Sequence, residues 1–142
     1  MFTLYNVISA DGFIANADGR EDFIPDQLWS VFLGMCAKYG AVVMGRKTYQ
    51  AIVDYDKALT VPLEELNIQR IVISTREDIV LKKGYILFDS PEEATRVASG
   101  ALVSSGPMLN NYLLEKGLVK MFLGATVSNP ILSRDVNCVS VC

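Results

Sequence analysis

The chain has 142 residues, 51% of them hydrophobic and 20% charged, with a formal net charge of −3 at pH 7 and no histidine. This length and composition predict one compact domain, residues 1–142. An acidic domain is a poor general binder of nucleic acid, a chain without histidine cannot build a catalytic triad on imidazole, and no apolar run reaches the roughly 20 residues of a membrane-spanning helix.

Apolar runs alternate with segments of helical periodicity along the chain. We predict strands at residues 2–9, 41–44, 70–75, 84–89, 101–105, 118–125 and 136–142. We predict helices at residues 25–38, 46–53, 91–100 and 107–116, and loops at residues 10–24 and 54–68. Apolar strands separated by helices predict an α/β sheet covered on both faces, which binds ligands at the carboxyl ends of its strands.

The second strand ends at Gly45 and is followed at once by Arg46, Lys47 and Thr48. Glycine lets the backbone lie close to a ligand, and the start of the next helix offers free N–H groups and a partial positive charge. Two cations and a hydroxyl donor add to that field. We therefore predict an anion-binding turn here, although its spacing differs from that of a Walker A motif.

Two other strands end in similar chemistry. Residues 74–76 are Ser-Thr-Arg, and residues 104–106 are Ser-Ser-Gly ahead of a helix. Each turn alone is also common as an ordinary structural turn, so the prediction depends on their conjunction. Three anion-binding strand ends indicate an extended ligand with several phosphates, such as a dinucleotide. Arg46 and Arg76 near one edge favour a terminal monophosphate, and therefore NADPH over NADH.

Four segments carry a resemblance to a known family. They are "SADGFIA" (9–15), "VVMGRKTY" (42–49), "IVISTR" (71–76) and "LVSSGPMLNNYLLEKGLVKMFL" (102–123). In order and spacing they resemble the dihydrofolate reductase-like superfamily over roughly residues 1–125. Within it, the chain is most similar to the pyrimidine reductase domain of riboflavin biosynthesis, which forms the C-terminal part of bifunctional deaminase-reductases.

The resemblance implies a dihydrofolate reductase-like, three-layer α/β/α fold with a mixed, mostly parallel central sheet, shortened at the C-terminus. It implies an NADPH-dependent reductase that transfers hydride to a pterin-like or ribosylaminopyrimidine substrate, with the riboflavin-type reaction slightly favoured. The coenzyme residues are those of the loop over the nicotinamide, the phosphate-binding turn, the 2′-phosphate site and the loop under the pyrophosphate. In chain order they are Ile14, Ala15, Gly45, Arg46, Lys47, Thr48, Ser74, Thr75, Arg76, Ser105, Gly106, Pro107, Met108 and Leu109.

The sequence identifies fewer candidate residues for binding the substrate than for binding the coenzyme. Folate reductases place a carboxylate on the first helix, and Asp26 at the start of that helix is our candidate catalytic residue, ahead of Glu21 and Asp22. We expect an apolar pocket, lined by Trp29 and Phe32, to raise the pKa of Asp26. An ordinary surface aspartate at a helix start is the competing interpretation, and both aromatic residues fit a simple core role. The remaining substrate-side candidate is Asp11, which also fits a turn.

Two departures from the family pattern leave an alternative open. Ser105-Gly106 stands where the family has Gly-Gly, and the added Cβ is expected to crowd a backbone that touches the coenzyme. The family ends in two strands joined by a hairpin, and here only residues 136–142 are predicted to follow. An exposed sheet edge predicts a homodimer. The alternative is a non-catalytic or degenerate nucleotide-binding scaffold.

The cysteines and the N-terminal residues bear on the location of the protein in the cell. Cys36, Cys138 and Cys142 are odd in number and irregularly spaced, which favours reduced thiols and no metal site. Residues 1–12 lack a signal-peptide pattern. We expect a cytoplasmic protein that binds a small-molecule substrate, not nucleic acid or membrane.

Overall fold

The computed structural model describes residues 1–9, 11, 12, 14, 26–54 and 57–127. The strands are β1 (Phe2–Ser9), β2 (Ala41–Gly45), β3 (Gln69–Ile73), β4 (Tyr85–Phe88), β5 (Leu102–Val103) and β6 (Val119–Val127). The helices are α1 (Asp26–Tyr39), α2 (Arg46–Asp54), α3 (Lys57–Glu65), α4 (Pro91–Val97) and α5 (Pro107–Glu115).

All six strands form one sheet in the order β4-β3-β2-β5-β1-β6, and every pairing between them is parallel. In β1, Thr3 lies opposite Leu102 of β5 and opposite Met121 of β6. The predicted fold class is confirmed. The predicted strand 136–142 and most of the predicted loop 10–24 lie outside the described residues.

The sheet separates two hydrophobic cores, because successive residues of a strand point to opposite faces. Val42 and Met44 pack with buried side chains of α1, α2 and α3 on one face. Ala41 and Val43 pack with those of α4 and α5 on the other. The molecule therefore has three layers, and both faces of its inner strands are apolar, as the sequence predicted.

The prediction of a loop at residues 54–68 is wrong over α3. Pro62 lies inside this helix, and proline there removes a backbone donor and disfavours helix. Tertiary contacts outweigh that preference. Leu63 is fully buried, and the Arg70 guanidinium donates to the carbonyl oxygens of Leu63 and Leu66 at 3.2 and 2.9 Å. Arg70 thus binds carbonyl groups at the helix end, which have no partner within the helix.

The helix starts follow the sequence signals more closely. The Ser90 side chain accepts a hydrogen bond from the Glu93 N–H, and Pro91 takes the first helical position, as predicted. This helix ends at Val97 instead of near Gly100, and β5 is only two residues long instead of five. None of the helices in the described part of the chain is long and apolar enough to cross a membrane.

Within the described sheet, β6 is an edge strand that pairs with β1 alone. Its Met121 and Phe122 side chains are 48% and 38% exposed. The homodimer that we expected from an open sheet edge stays a prediction.

Candidate functional site

The turns after β2 and β5 are joined by a direct hydrogen bond at the carboxyl edge of the sheet. The Gly45 N–H donates to the Ser105 hydroxyl oxygen at 2.9 Å. A Cβ on Gly45 would lie 3.0 Å from the same oxygen, so a side chain there would compete with this bond. Ser105 therefore serves as the acceptor that ties the end of β2 to the turn after β5.

Two asparagines hold the Ser105 backbone from the other side. The Asn6 and Asn110 side-chain amides each donate to the Ser105 carbonyl oxygen at 3.0 Å. Asn110 also donates to the side-chain oxygen of Asn6 at 2.9 Å. Asn110 is 1% exposed, so these bonds form where a lost donor is costly. Through the Ser105 carbonyl and hydroxyl groups, the network links β1, β2 and α5 to the turn after β5.

The start of α5 lies next to this network. Gly106 is the N-cap of the nine-residue helix, makes no side-chain capping bond and is followed by Pro107. Backbone N–H groups in the first turn of a helix have no partner within the helix. Leu109 packs against the second core, whereas Met108 is 82% exposed. The turn therefore presents backbone donors, a small residue and one exposed thioether.

Arg46 and Arg76 line one cleft of about 730 Å³ beside the ends of β2 and β3. The cleft is lined by Arg46, Tyr49, Gln50, Val53, Asp54, Arg76, Asp78, Ile79, Val80 and Lys82. Three of these residues are cations and two are carboxylates. Gly106 does not line this cleft. The turn that contains it is still connected to the cleft, because Ser105 is hydrogen-bonded to Gly45, the residue before Arg46. The three predicted strand ends belong to β3, β2 and β5, which are neighbours in the sheet.

Tyr49 lines the cleft from a fixed position. This side chain is 3% exposed, and its hydroxyl oxygen accepts a hydrogen bond from the Lys82 backbone N–H at 2.9 Å. Its ring meets the Tyr85 ring edge-on, with 5.1 Å between centroids. Burial, followed by the nearby Glu64 carboxylate, raises the pKa of Tyr85 to about 12, so its hydroxyl is neutral at pH 7. Tyr49 therefore joins the cleft to the Tyr85 side chain in the core.

Arg76 is already paired with a carboxylate. Its Nε and terminal nitrogen donate to the two Asp78 oxygens at 2.9 and 2.8 Å, in a bidentate fork. These hydrogen bonds come first among the causes that lower the pKa of Asp78, and the charge of Arg46 is a smaller one. The Arg76 backbone N–H donates to the Ser74 hydroxyl oxygen at 3.1 Å. Residues 74–78 therefore form a compact turn, and its Arg76 and Asp78 side chains line the cleft.

The substrate-side candidates lie around α1. Phe32 is buried and packs against Trp29 and Tyr5, with ring centroids 5.1 and 6.1 Å away. Asp26 is exposed, so the described residues do not enclose its carboxylate in the apolar pocket that we expected. Asp11 is exposed, and one of its carboxylate oxygens accepts a hydrogen bond from the Ser9 hydroxyl at 2.6 Å. The catalytic role of Asp26 and the three substrate roles stay predictions.

The remaining predicted residues differ in placement. Ile14 is buried, and Ala15 lies outside the described residues. Lys47 and Thr75 are exposed, Thr48 is half-buried, and none of these three lines the described cleft. Asp78, Tyr49 and Lys82 line the cleft but were not among the residues predicted from the sequence. The one available signal was the spacing of Asp78, two residues after Arg76.

No protein-family model matches the chain, and no curated protein matches it. Solved structures do. A riboflavin biosynthesis protein from Shewanella sp. PV-4 is 16% identical, with a TM-score of 0.69 over 92% of this chain and 78% of that one.

Two further structures share the fold. A dihydrofolate reductase from Enterococcus faecalis, in complex with NADP(H) and RAB-propyl, is 14% identical, with a TM-score of 0.74 over 95% of this chain and 75% of that one. A diaminohydroxyphosphoribosylaminopyrimidine deaminase/5-amino-6-(5-phosphoribosylamino)uracil reductase from Thermotoga maritima is 18% identical, with a TM-score of 0.65. The match covers 99% of this chain and 48% of that one, so the chain spans about half of that bifunctional protein. At these identities the comparisons show the fold, which is dihydrofolate reductase-like.

Proposed function

We propose that this chain, which has the dihydrofolate reductase-like fold, is an NADPH-dependent reductase. Its hydride acceptor is a ribosylaminopyrimidine or a pterin-like compound, and the riboflavin-type substrate is favoured. The observation that carries the proposal is the shared cleft of Arg46 and Arg76, which follow two adjacent parallel strands. The solved structures with this fold include a dihydrofolate reductase complexed with NADP(H) and a uracil reductase.

The residues at the strand ends fit an elongated, multiply charged coenzyme. Strand ends that are neighbours in a sheet lie about 5 Å apart, so the turns after β3, β2 and β5 span about 10 Å. Arg76 and Arg46 offer guanidinium forks for phosphate oxygens. The starts of α2 and α5 offer backbone N–H groups. NADPH supplies the hydride when it is bound, and the chain's own residues hold and orient it.

Binding of the coenzyme is the first test. Arg76→Ala is expected to weaken NADPH by about tenfold or more, because it removes a charge-assisted hydrogen bond to the terminal phosphate, while NADH binding changes little. Fluorescence titration with both coenzymes measures this. Arg96→Ala is the matched control, since Arg96 is exposed on α4 and lies outside the lining of the cleft. Equal losses for the two coenzymes would contradict the role of Arg76, and no NADPH binding at millimolar concentration would refute the function.

Turnover separates the substrate classes. The protein is mixed with NADPH and either a phosphoribosylated diaminopyrimidine or dihydrofolate, and NADPH absorbance is followed. We expect oxidation of NADPH with the pyrimidine. Oxidation with dihydrofolate alone would assign the folate-type reaction instead.

A second candidate function is a nucleotide-binding protein that transfers no hydride. The exposure of Asp26 favours it, because our candidate catalytic carboxylate lies open to water and not in an enclosed pocket. This candidate predicts NADPH binding without oxidation of NADPH in the presence of either substrate. The same two assays therefore distinguish the candidates.

A further inference from the structure

We propose that Asp78 sets the preference between NADPH and NADH, because its carboxylate occupies the edge of the Arg76 guanidinium that a terminal 2′-phosphate would bind. The inference rests on the proposed function and deepens it. Asp78 is then a specificity-determining residue that lowers the affinity for NADPH without acting on NADH. No part of the sequence resemblance assigns it a role.

The geometry of the fork carries the inference. A guanidinium binds a carboxylate or a phosphate through two parallel N–H bonds. In Arg76, Nε and one terminal nitrogen are both directed at Asp78, at 2.9 and 2.8 Å. A phosphate that binds Arg76 through this edge of the guanidinium must first displace the carboxylate. Since Asp78 is only two residues away, it competes at high local concentration.

The surroundings make that displacement feasible. The Arg76 and Asp78 side chains are 56% and 68% exposed, so water can solvate each group when the pair opens, and exposed pairs are weak. A displaced Asp78 stays within the cleft, where Arg46 and Lys82 are the other cations and Asp54 is the other carboxylate. Its negative charge then lies near the incoming phosphate and opposes it.

Asp78→Asn tests the competition, because it keeps the side-chain shape and removes the charge. Binding is measured by calorimetry with NADPH and NADH, and with 2′,5′-ADP and 5′-AMP as matched fragments that differ in the 2′-phosphate. We expect NADPH and 2′,5′-ADP to bind about three- to tenfold more tightly to the variant, the range of one weak exposed ion pair. NADH and 5′-AMP are expected to bind as before.

Two controls isolate the fork. Glu77→Gln makes the same change of net charge one residue away, on an exposed side chain outside the cleft lining, and it is expected to leave the NADPH to NADH ratio within about twofold. In an Arg76→Ala background, Asp78→Asn is expected to give no more gain than Glu77→Gln does. That second result follows only if Asp78 acts through Arg76.

Each outcome of these measurements either supports or overturns the proposed role of Asp78. A gain confined to the two 2′-phosphate ligands supports it. An unchanged ratio overturns it, and so does weaker NADPH binding, which would make Asp78 a support that orients Arg76. Weaker NADH binding overturns it as well, because Asp78 would then bind a ribose hydroxyl. If the unmodified protein binds neither NADPH nor 2′,5′-ADP, the proposed function fails along with the inference.

Discussion

Two parts of the same sheet edge are held together by different forces. Around Ser105, neutral donors and acceptors form a network that includes Asn110, which is almost fully buried. Around Arg76, full charges pair in a cleft that is open to water. A buried amide without its partner loses hydration that nothing replaces, whereas an exposed charge without its partner is hydrated at once.

The difference separates positioning from binding. The Ser105 network determines where the turns after β2 and β5 lie, so it acts mainly on stability. The Arg76 cleft contributes little to stability, and its exposed ion pair can open to a ligand at low cost. Substitutions in the two regions should therefore change different measurements.

The largest expected effect is that of Asn110→Ala. It removes the donor to Asn6 and one of two donors to Ser105, and we expect a loss of about 2 kcal/mol in the free energy of unfolding. Urea unfolding measures it. Asn111→Ala, at the next and exposed position of α5, makes the same change in helix propensity and is expected to stay within about 0.5 kcal/mol. Equal effects of the two substitutions would show that the network does not stabilise the fold.

A smaller effect is expected at Gly45. The added methyl group of Gly45→Ala meets the Ser105 oxygen at 3.0 Å, and we expect a loss of about 1 kcal/mol as the hydroxyl turns away from the Gly45 N–H. Ser105→Gly removes the hydroxyl, so Gly45→Ala should cost much less in that background. A double-mutant cycle measures the coupling. If the losses from Gly45→Ala and Ser105→Gly are additive, the loss at Gly45 does not arise from its contact with the Ser105 hydroxyl.

The smallest expected effect on stability is that of Asp78→Asn. The pair with Arg76 is exposed on both sides, so we expect no measurable shift in the urea midpoint at pH 7. The pKa of Asp78 is lowered in the folded state, so any contribution is present at neutral pH and disappears as the pH falls below the carboxylate's ordinary range. A clear loss of stability at pH 7 would mean that the cleft is part of the scaffold, and would remove the contrast between the two regions.

The sequence predicted the framework of this molecule well, because the framework depends on local signals. Gly45 ends an apolar run, and Pro91 follows a capping serine, so the starts of α2 and α4 could be read directly. The alternation of apolar strands and helices predicted the layered sheet. β3, β2 and β5, which carry the three predicted turns at their ends, are neighbours in the sheet, while the shared coenzyme site stays a prediction.

The parts that were missed depend on contacts between distant segments. α3 contains Pro62 and is supported by Arg70 of the following strand, which helix propensity does not report. The wall of the cleft depends on a hydrogen bond from Lys82 to Tyr49, 33 positions apart. Whether Asp26 is exposed depends on where the start of α1 lies relative to the sheet. The spacing of residues along the sequence does not give that position, so it could not predict the exposure of Asp26.

The position of β1 has a consequence for synthesis on the ribosome. Phe2–Ser9 is made before the rest of the described sheet, yet both of its neighbours in that sheet, β5 and β6, come from residues 102–127. At about 5–20 residues per second, roughly 100 residues take about 5–20 s to translate. Throughout that time an apolar strand has no pairing partner. Nascent chains of this protein should therefore depend on chaperones that cover β1 until β5 and β6 have been made.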